Sequence, residues 1–354
     1  MTVYTTINDG TAHFLAQLYT GNGSNSHDIT NTGNANLQPD LIWIKNRSTG
    51  SNPIIQDTSR GINTQSFTDG NPSEYDNGAW GHVNSVASDG FQVDVGNVAS
   101  EANANKNSDN YVAWQWKVNG GTTSVNNDGS VSSTVQANTT AGVSIVFYTA
   151  TGSGDITVGH GLGAAPDLIL SKTRNVSYDW RVFSSSLGAG KALQLDGTNA
   201  EATNNSYPSA PTSTVMTMGR GGDDNNNYAN GNKIISYCFR AIQGFSKFGT
   251  YFGNSDADGP FIYTGFKPAF VMIKKTNAVE DWGMMDNKRS SSNGNNVIDR
   301  FLYANSTNAE ATTQTPVDFY SNGFKCRNTD NKFNSSGSTY LYMLFAESPF
   351  VTSD

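Results

Sequence analysis

One apolar run led by proline occurs three times in this chain, and a chain that repeats itself at such spacing builds one supersecondary unit more than once. The runs are Pro39-Asp40-Leu41-Ile42-Trp43-Ile44-Lys45, Pro166-Asp167-Leu168-Ile169-Leu170-Ser171-Lys172 and Pro268-Ala269-Phe270-Val271-Met272-Ile273-Lys274. Proline fits the first position of a strand, where its missing N–H costs no ladder bond. Upstream, Tyr19-Thr20-Gly21-Asn22-Gly23, Tyr148-Thr149-Ala150-Thr151-Gly152 and Tyr251-Phe252-Gly253-Asn254-Ser255 each run from a strand end into a turn. Downstream, Asp179-Trp180 and Asp281-Trp282 lie equally far past their prolines, as do Asp57 with Arg60 and Asp286 with Arg289. Thr-Asn-Ala-Glu-Ala-Thr occurs at 198–203 and at 307–312, with a looser echo at Asp69-Gly70-Asn71-Pro72-Ser73-Glu74. Ser88-Asp89-Gly90-Phe91 and Ser321-Asn322-Gly323-Phe324 mark a further turn, weakly represented near Met216.

Every copy closes on an alternating strand: Val112, Trp114 and Trp116; Ile235, Tyr237 and Phe239; Leu341, Met343 and Phe345. Period two places each set on one face, which is read as core. The copies therefore span 1–118, 119–241 and 242–354. Residues 1–14 form a candidate attachment segment, and Asn119 to Gly142 is a turn-rich entry with a short strand at Ser130 to Ala137. Charged residues make up 15% of the chain against a typical ~25%, whereas Gly (36) and aromatics (11%) are plentiful. That mix suits short strands joined by polar turns. Only Phe14, Leu15, Leu18 and Tyr19 show helical spacing, which predicts a turn or two of helix. The predicted fold class is all-β: three tandem antiparallel, jelly-roll-like β-sandwich units of six to eight strands, each long enough for its own core.

The net charge is −8, the pI is near 5.0 and the 22 basic residues are scattered, a pattern that argues against nucleic acid as a partner. The N-terminal MTVYTTINDG lacks the basic and apolar regions of a cleaved signal, and no run of 18 apolar residues predicts membrane insertion. Synthesis in a cytoplasm followed by life outside the cell is the expected history. Cys238 and Cys326 fall in strand-like segments far apart and read as small buried hydrophobes.

These landmarks resemble a family of repeat-containing virion proteins of tailed bacteriophages, especially marine ones, labelled tail or tail-fibre proteins. The resemblance covers nearly the whole chain, through Tyr19 to Gly23, Pro39 to Arg47, Asp57 to Gly61, Tyr111 to Lys117, Gly120 to Tyr148, Gly161 to Pro166, Gly244 to Lys274 and Tyr340 to Phe350. It implies a structural role on the particle, with other virion proteins as partners and host contact as a further role. The region around Trp80 and the loop from Asp223 to Asn232 depart from the family pattern, so no receptor preference carries over.

No catalytic, cofactor-binding or metal site is predicted. His13, His27, His82 and His160 recur in no second copy and read as solvated or locally bonded loop residues, and no nucleophile elbow, HExxH or phosphate loop occurs. Glu201 and Glu310 occupy equivalent places and read as turn or strand-edge contacts rather than a glycosidase pair. Asn254-x-Asp256-x-Asp258-Gly259 begins like a calcium loop, but Gly265 stands where the bidentate acid belongs, which leaves a polar turn. Trp43, Trp114, Trp116, Trp180 and Trp282 sit in repeated positions and read as core. Trp80 and Tyr228 have no counterparts and are the candidate surface or glycan contacts, because sugar C–H faces stack on rings. The aligned Lys45, Lys172 and Lys274 are expected to lay their stems over strand ends.

The expected function is a tail fibre or tail-associated appendage of a phage particle, with sandwiches packed end to end as a stiff arm and chains assembled as homo-oligomers, trimers by preference. A capsid decoration or head-fibre protein is the alternative within that class. A stand-alone carbohydrate-binding module and a polysaccharide depolymerase are the alternatives outside it.

Overall fold

The computed structural model describes residues 5–76, 79–220, 226–291, 296–312 and 314–349. In the first stretch, β1 (Phe14–Thr20), β2 (His27–Thr30), β3 (Leu41–Asn46), β4 (Ile54–Asp57), β5 (Thr64–Phe67), β6 (Tyr75–Asp76), β7 (His82–Ala87), β8 (Gly90–Asp94) and β9 (Asn110–Trp116) form two sheets, ordered β1-β9-β3-β4-β5-β6 and β2-β8-β7. The second stretch holds β10 (Ser124–Asn126), β11 (Ser133–Asn138), β12 (Val143–Thr149), β13 (Ile156–Gly159), β14 (Leu168–Thr173), β15 (Arg181–Ser184), β16 (Lys191–Gln194), β17 (Ala202–Thr203), β18 (Val215–Met218) and β19 (Lys233–Phe239). They are ordered β10-β11-β12-β19-β14-β15-β16-β17 and β13-β18. In the third, β20 (Ser246–Phe252), β21 (Phe261–Tyr263), β22 (Phe270–Lys275), β23 (Trp282–Asp286), β24 (Val297–Ile298), β25 (Leu302–Tyr303), β26 (Val317–Tyr320), β27 (Gly323–Cys326) and β28 (Thr339–Phe345) are ordered β20-β28-β22-β23-β25 and β21-β27-β26-β24.

All strand pairs in these sheets are antiparallel, so the fold is all-β and sandwich-like. The runs β1-β9-β3-β4-β5, β12-β19-β14-β15-β16 and β20-β28-β22-β23-β25 share one order. Their registers agree as well: Leu41, Leu168 and Phe270 face Trp116, Phe239 and Phe345. The strand expected at Ser130 to Ala137 lies at Ser133–Asn138, preceded by β10. The helix expected at Phe14 to Tyr19 is instead β1, paired with β9 along its whole length. Phe14, Leu15 and Ala16 are all buried, so both faces of that strand find apolar partners, and tertiary pairing overrides the local spacing.

Each large sheet is covered on two sides. Its outer face packs on the small sheet: Ile42, Ile44, Tyr111 and Ala113 meet Ile29, Phe91 and Val93 in the first stretch, and Val146, Ile169, Ile234 and Cys238 meet Val158 and Met216 in the second. Its inner face looks toward a core common to all three stretches. There the last residues of β9, β19 and β28 meet as a triangle of rings, with Trp116 and Phe239 6.0 Å apart, Phe239 and Phe345 6.0 Å, and Trp116 and Phe345 5.6 Å. The closing strands therefore have core on both faces rather than one. The near-continuous apolar runs of β3, β14 and β22 follow, because a sheet covered on two sides has no solvent face to alternate with. The stretches surround one centre instead of stacking end to end as an arm.

Polar contacts close that arrangement into a ring. The N–H of Glu74 donates to the carbonyl of Arg174 (2.8 Å), that of Glu201 to Thr276 (2.6 Å) and that of Glu310 to Arg47 (3.0 Å), joining first to second, second to third and third to first. The three aligned lysines run the opposite way around: Lys45 Nζ donates to Thr307 O (2.9 Å), Lys172 to Asn71 O (3.2 Å) and Lys274 to Thr198 O (3.1 Å). They are at most 1% exposed, so these side chains are buried bridges rather than stems lying over strand ends. Trp180 Nε1 donates to Phe67 O (2.7 Å) and Trp282 Nε1 to Gln194 O (2.8 Å). In the first stretch Pro53 stands at that place, and the join to the third is made by Thr68 Oγ1 and Ala304 O (2.7 Å). Burial lowers the three ammonium groups from 10.5 to about 8.

Two outcomes are expected. Lys172→Met strips the donor from the carbonyls of Asn71 and Thr173, which should cost roughly 2–3 kcal/mol in urea unfolding; an unchanged midpoint would remove the bridging role. The second concerns pH. Folded lysine values below 10.5 mean that from about pH 8 to 9 the unfolded chain holds protons the folded chain has released, so stability rises with pH there. Above that window the thiols of Cys238 and Cys326, pushed up to about 12 by burial, act in the opposite sense. The thermal midpoint should climb between those pH values, and less steeply in Lys172→Met; a flat profile in the native sequence contradicts this.

Candidate functional site

Most of the residues that could carry chemistry are committed to holding the ring. Asp57 grips Arg60 (Nε to Oδ2 2.6 Å) and receives the hydroxyl of Tyr237 from the second stretch at 2.8 Å. Asp286 grips Arg289 in the same way and receives Trp114 Nε1 from the first stretch at 3.0 Å, with the Arg289 guanidinium 5.5 Å from the Trp114 ring centroid. Glu310 is held by both Nε (3.0 Å) and Nη2 (2.9 Å) of Arg47 and by Nη1 of Arg289 (3.0 Å). Burial alone would raise its carboxyl, but these arginines hold it below the ordinary value. Glu201 pairs with Lys191 at 2.7 Å. Both glutamates are thus contacts between neighbouring elements, as their repeated positions suggest.

The histidines lie in separate surroundings. His160 is fully buried: its Nδ1 accepts from the N–H of Leu162 (3.2 Å) and its Nε2 donates to Thr212 O (3.1 Å). His160 is thus the locally bonded case of the two expected, while His82 is buried at the start of β7 and is neither solvated nor in a loop. Burial lowers the pKa of His13, His82 and His160. In the segment that begins like a calcium loop, Asn254 Oδ1 accepts from Asp256 N–H and Asp256 Oδ1 from Asp258 N–H, while Asp258 takes Lys325 (2.6 Å) and Arg327 (3.2 Å). Those oxygens are spent on a turn. Among the described residues no group of three or more His, Cys, Asp or Glu side chains could hold a metal. Cys238 and Cys326 are both buried and free.

Trp80 stands apart from this pattern. It lines a cleft of about 520 Å³ between the first and third stretches, with Gly50, Ser51, Asn52, Phe67, Tyr75, Ser100, Glu101, Asn103 and Thr307. Gly81, at φ +82°, turns the chain from Trp80 into β7 where a Cβ would meet the carbonyl of Asp94 at 2.9 Å. The N–H groups of Asn97 and Val98 donate to Ala79 O, and that of Asn103 donates to Trp80 O (2.5 Å), tying the 79–81 turn to the segment that supplies Ser100 and Glu101. The Trp80 ring stands edge-on to Tyr75 at 5.7 Å, and Tyr75 leans on Phe67 at 5.2 Å. Opposite, Ser51 N–H donates to Thr307 O (3.0 Å) and Lys45 Nζ to Ser51 O (2.6 Å), so the contact that closes the ring also builds the cleft wall.

Asn103 is 3% exposed; its Oδ1 accepts from Ser51 Oγ at 2.8 Å, and its Nδ2 has no acceptor in the protein. A buried amide donor without a partner costs about 1–3 kcal/mol. The cleft thus combines a half-buried tryptophan, a tyrosine, hydroxyls and amides with one ionisable side chain of either sign, Glu101. Tyr228 is placed elsewhere, edge-on to Tyr178 at 5.7 Å in the second stretch, so the two candidates from sequence do not share a site. Part of its loop, residues 223–225, lies outside the described residues, as do residues 1–4 of the candidate attachment segment. Tyr75 and Asn103 went unnoticed in the sequence. Tyr75 carries a local signal, an aromatic in the same non-repeating segment as Trp80, whereas Asn103 carries none.

One family model, described as a domain of unknown function (DUF7483), matches residues 9–349 and so spans all three stretches. No curated protein and no solved structure matches the chain.

Trp43, Trp114, Trp116, Trp180 and Trp282 are at most 1% exposed. N-bromosuccinimide should therefore oxidise Trp80 alone in the native protein and nothing comparable in Trp80→Phe; oxidation of a second tryptophan at the same rate would contradict this packing.

Proposed function

For a chain that belongs to this family of domains of unknown function, we propose a role as a structural protein of a tailed-phage particle, in a tail fibre or tail-associated appendage, with a host-surface glycan held at the Trp80 cleft. The three stretches are copies of one module. Apolar side chains and paired charges are spent on closing the ring, which suits a rigid part of an assembly, and the family resemblance of the repeated segments points the same way. The observation that carries the binding role is the grouping, in one cleft, of a tryptophan that the repeat does not need with a tyrosine, hydroxyls and side-chain amides. Sugars fit that grouping, since their C–H faces stack on rings and their hydroxyls or acetamido carbonyls accept from amides. With Glu101 as the one charged lining residue, neutral saccharides are favoured over acidic ones.

A glycan array probed with the full chain tests this. Neutral saccharides are expected among the binders, and Trp80→Ala, with an unchanged far-ultraviolet spectrum, should weaken the best of them about tenfold or more. Undiminished binding in that variant removes the cleft from the account. Antibody labelling of intact particles addresses location: label at the tail is expected, and label over the head replaces the fibre reading with that of a decoration protein.

A further inference from the structure

Where the first stretch meets the second, a hydroxyl, a carboxylate and a carboxamide come together in a way that the repeat by itself does not require. Asp40 is fully buried; its Oδ1 accepts from the hydroxyl of Thr58 (2.9 Å) and its Oδ2 from the N–H groups of Val118 (2.7 Å) and Gly120 (2.9 Å). The second stretch repeats this clasp with Asp167, whose Oδ1 accepts from Ser185 Oγ (3.2 Å) and whose Oδ2 accepts from Ala241 N–H (2.7 Å). Aspartate and hydroxyl are therefore part of the module. The third partner is not. Ser185 is exposed, whereas the Thr58 hydroxyl meets the side chain of Gln136, a fully buried residue of β11. Strands β10 and β11 extend the second sheet beyond β12, while the sheets of the first and third stretches begin at β1 and β20, so the third stretch sends no equivalent strand toward Ser185.

Gln136 is held at both ends of its carboxamide. Its Oε1 accepts from the N–H groups of Asn119 (2.9 Å) and Gly121 (3.1 Å), aimed from one turn that Gly120 and Gly121 open at φ +61° and +79°. Its Nε2 donates to Thr58 Oγ1 (3.1 Å) and to Ser59 Oγ (2.5 Å). Acyl transfer needs a hydroxyl bonded to a base, an acyl carbon beside it, and N–H donors on the oxygen that becomes negative. Thr58, Asp40, Gln136 and the 119–121 turn supply these in that order. Among the described residues no carboxylate bonds the Ser59 hydroxyl, so Thr58 is the nucleophile of the pair.

We propose that Thr58 and Gln136 react to form an ester, an internal cross-link that fastens the first stretch to the second. The Thr58 hydroxyl proton passes to Asp40 Oδ1 as Oγ1 forms its bond to Gln136 Cδ, and the charge that gathers on Oε1 is held by the N–H groups of Asn119 and Gly121. The Cδ–Nε2 bond then breaks, Asp40 returns the proton to Nε2, and the nitrogen leaves as ammonia. The step consumes no oxidant and needs no cofactor. An amide is more stable than an ester, and protonation of the departing ammonia in water offsets that difference. Burial of Asp40 and Gln136 keeps water from the product, as an ester that lasts requires. The cross-link is independent of the glycan cleft and of any location in a particle.

Mass spectrometry of the purified full chain reads this out. The native chain is expected to be lighter than its sequence by one ammonia. After denaturation and trypsin, peptides 48–60 and 118–172 should appear joined, and hydroxylamine, which cleaves esters and spares amides, should part them. Thr58→Val and Asp40→Asn should each give the two peptides separately and at full mass. Should either variant fail to fold, the native digest still decides: separate, unmodified peptides overturn the proposal, as does a join that withstands hydroxylamine. A cross-link that persists in Thr58→Val, or forms undiminished in Asp40→Asn, overturns it equally, because the nucleophile or the base would then lie elsewhere.

Discussion

Three aromatic rings from three distant parts of the chain, Trp116, Phe239 and Phe345, meet within 6.0 Å of one another at the ends of equivalent strands. Everything else in the molecule is arranged around that contact. A sheet that ends on such a ring must turn its inner face to the centre, and it can shield its outer face only by folding a second, smaller sheet over it. Hence each stretch has two layers, and the strand that closes it is apolar on both sides. Phe14 and Phe248 add to the cluster from strands that flank the closing ones, so the centre is filled from all sides.

Burying so much surface forces polar groups into the joints, and their handling explains where the candidate site lies. Each joint spends a lysine, a glutamate backbone N–H and, at two of the three, a tryptophan indole on the neighbouring stretch. Where Asp57 and Asp286 carry arginines, Tyr237 and Trp114 supply the facing donors; in the second stretch Ser184 and Leu187 replace the Asp and Arg, and the corresponding closing residue, Met343, has no donor to offer. The joint between third and first stretches is the one closed without the tryptophan, by Thr68, and the Trp80 cleft opens beside it.

The strand content, the repeated landmarks and the burial of five of the six tryptophans were all readable from period-two patterning and spacing, because those signals are local. The centre was not. Trp116, Phe239 and Phe345 look like ordinary inward-facing residues of three separate sandwiches, and nothing within one copy says that their partners lie in the other two. Lys45, Lys172 and Lys274 show the same limit: an aligned lysine at a strand end reads as a solvated stem until the neighbouring carbonyl is in view. β1 misled in the opposite way, since Phe14, Leu15, Leu18 and Tyr19 have helical spacing only because both faces of the strand are covered. At the site, Trp80 stood out by having no counterpart, whereas Asn103 became visible only through its unpaired amide.

The central claim is that one shared core makes the three stretches a single cooperative body. Differential scanning calorimetry tests this most directly. The account predicts one endotherm whose calorimetric and van't Hoff enthalpies agree. Two or three resolved transitions, or a calorimetric enthalpy several times the van't Hoff value, would mean that the stretches fold independently and that the aromatic triangle does not hold them together.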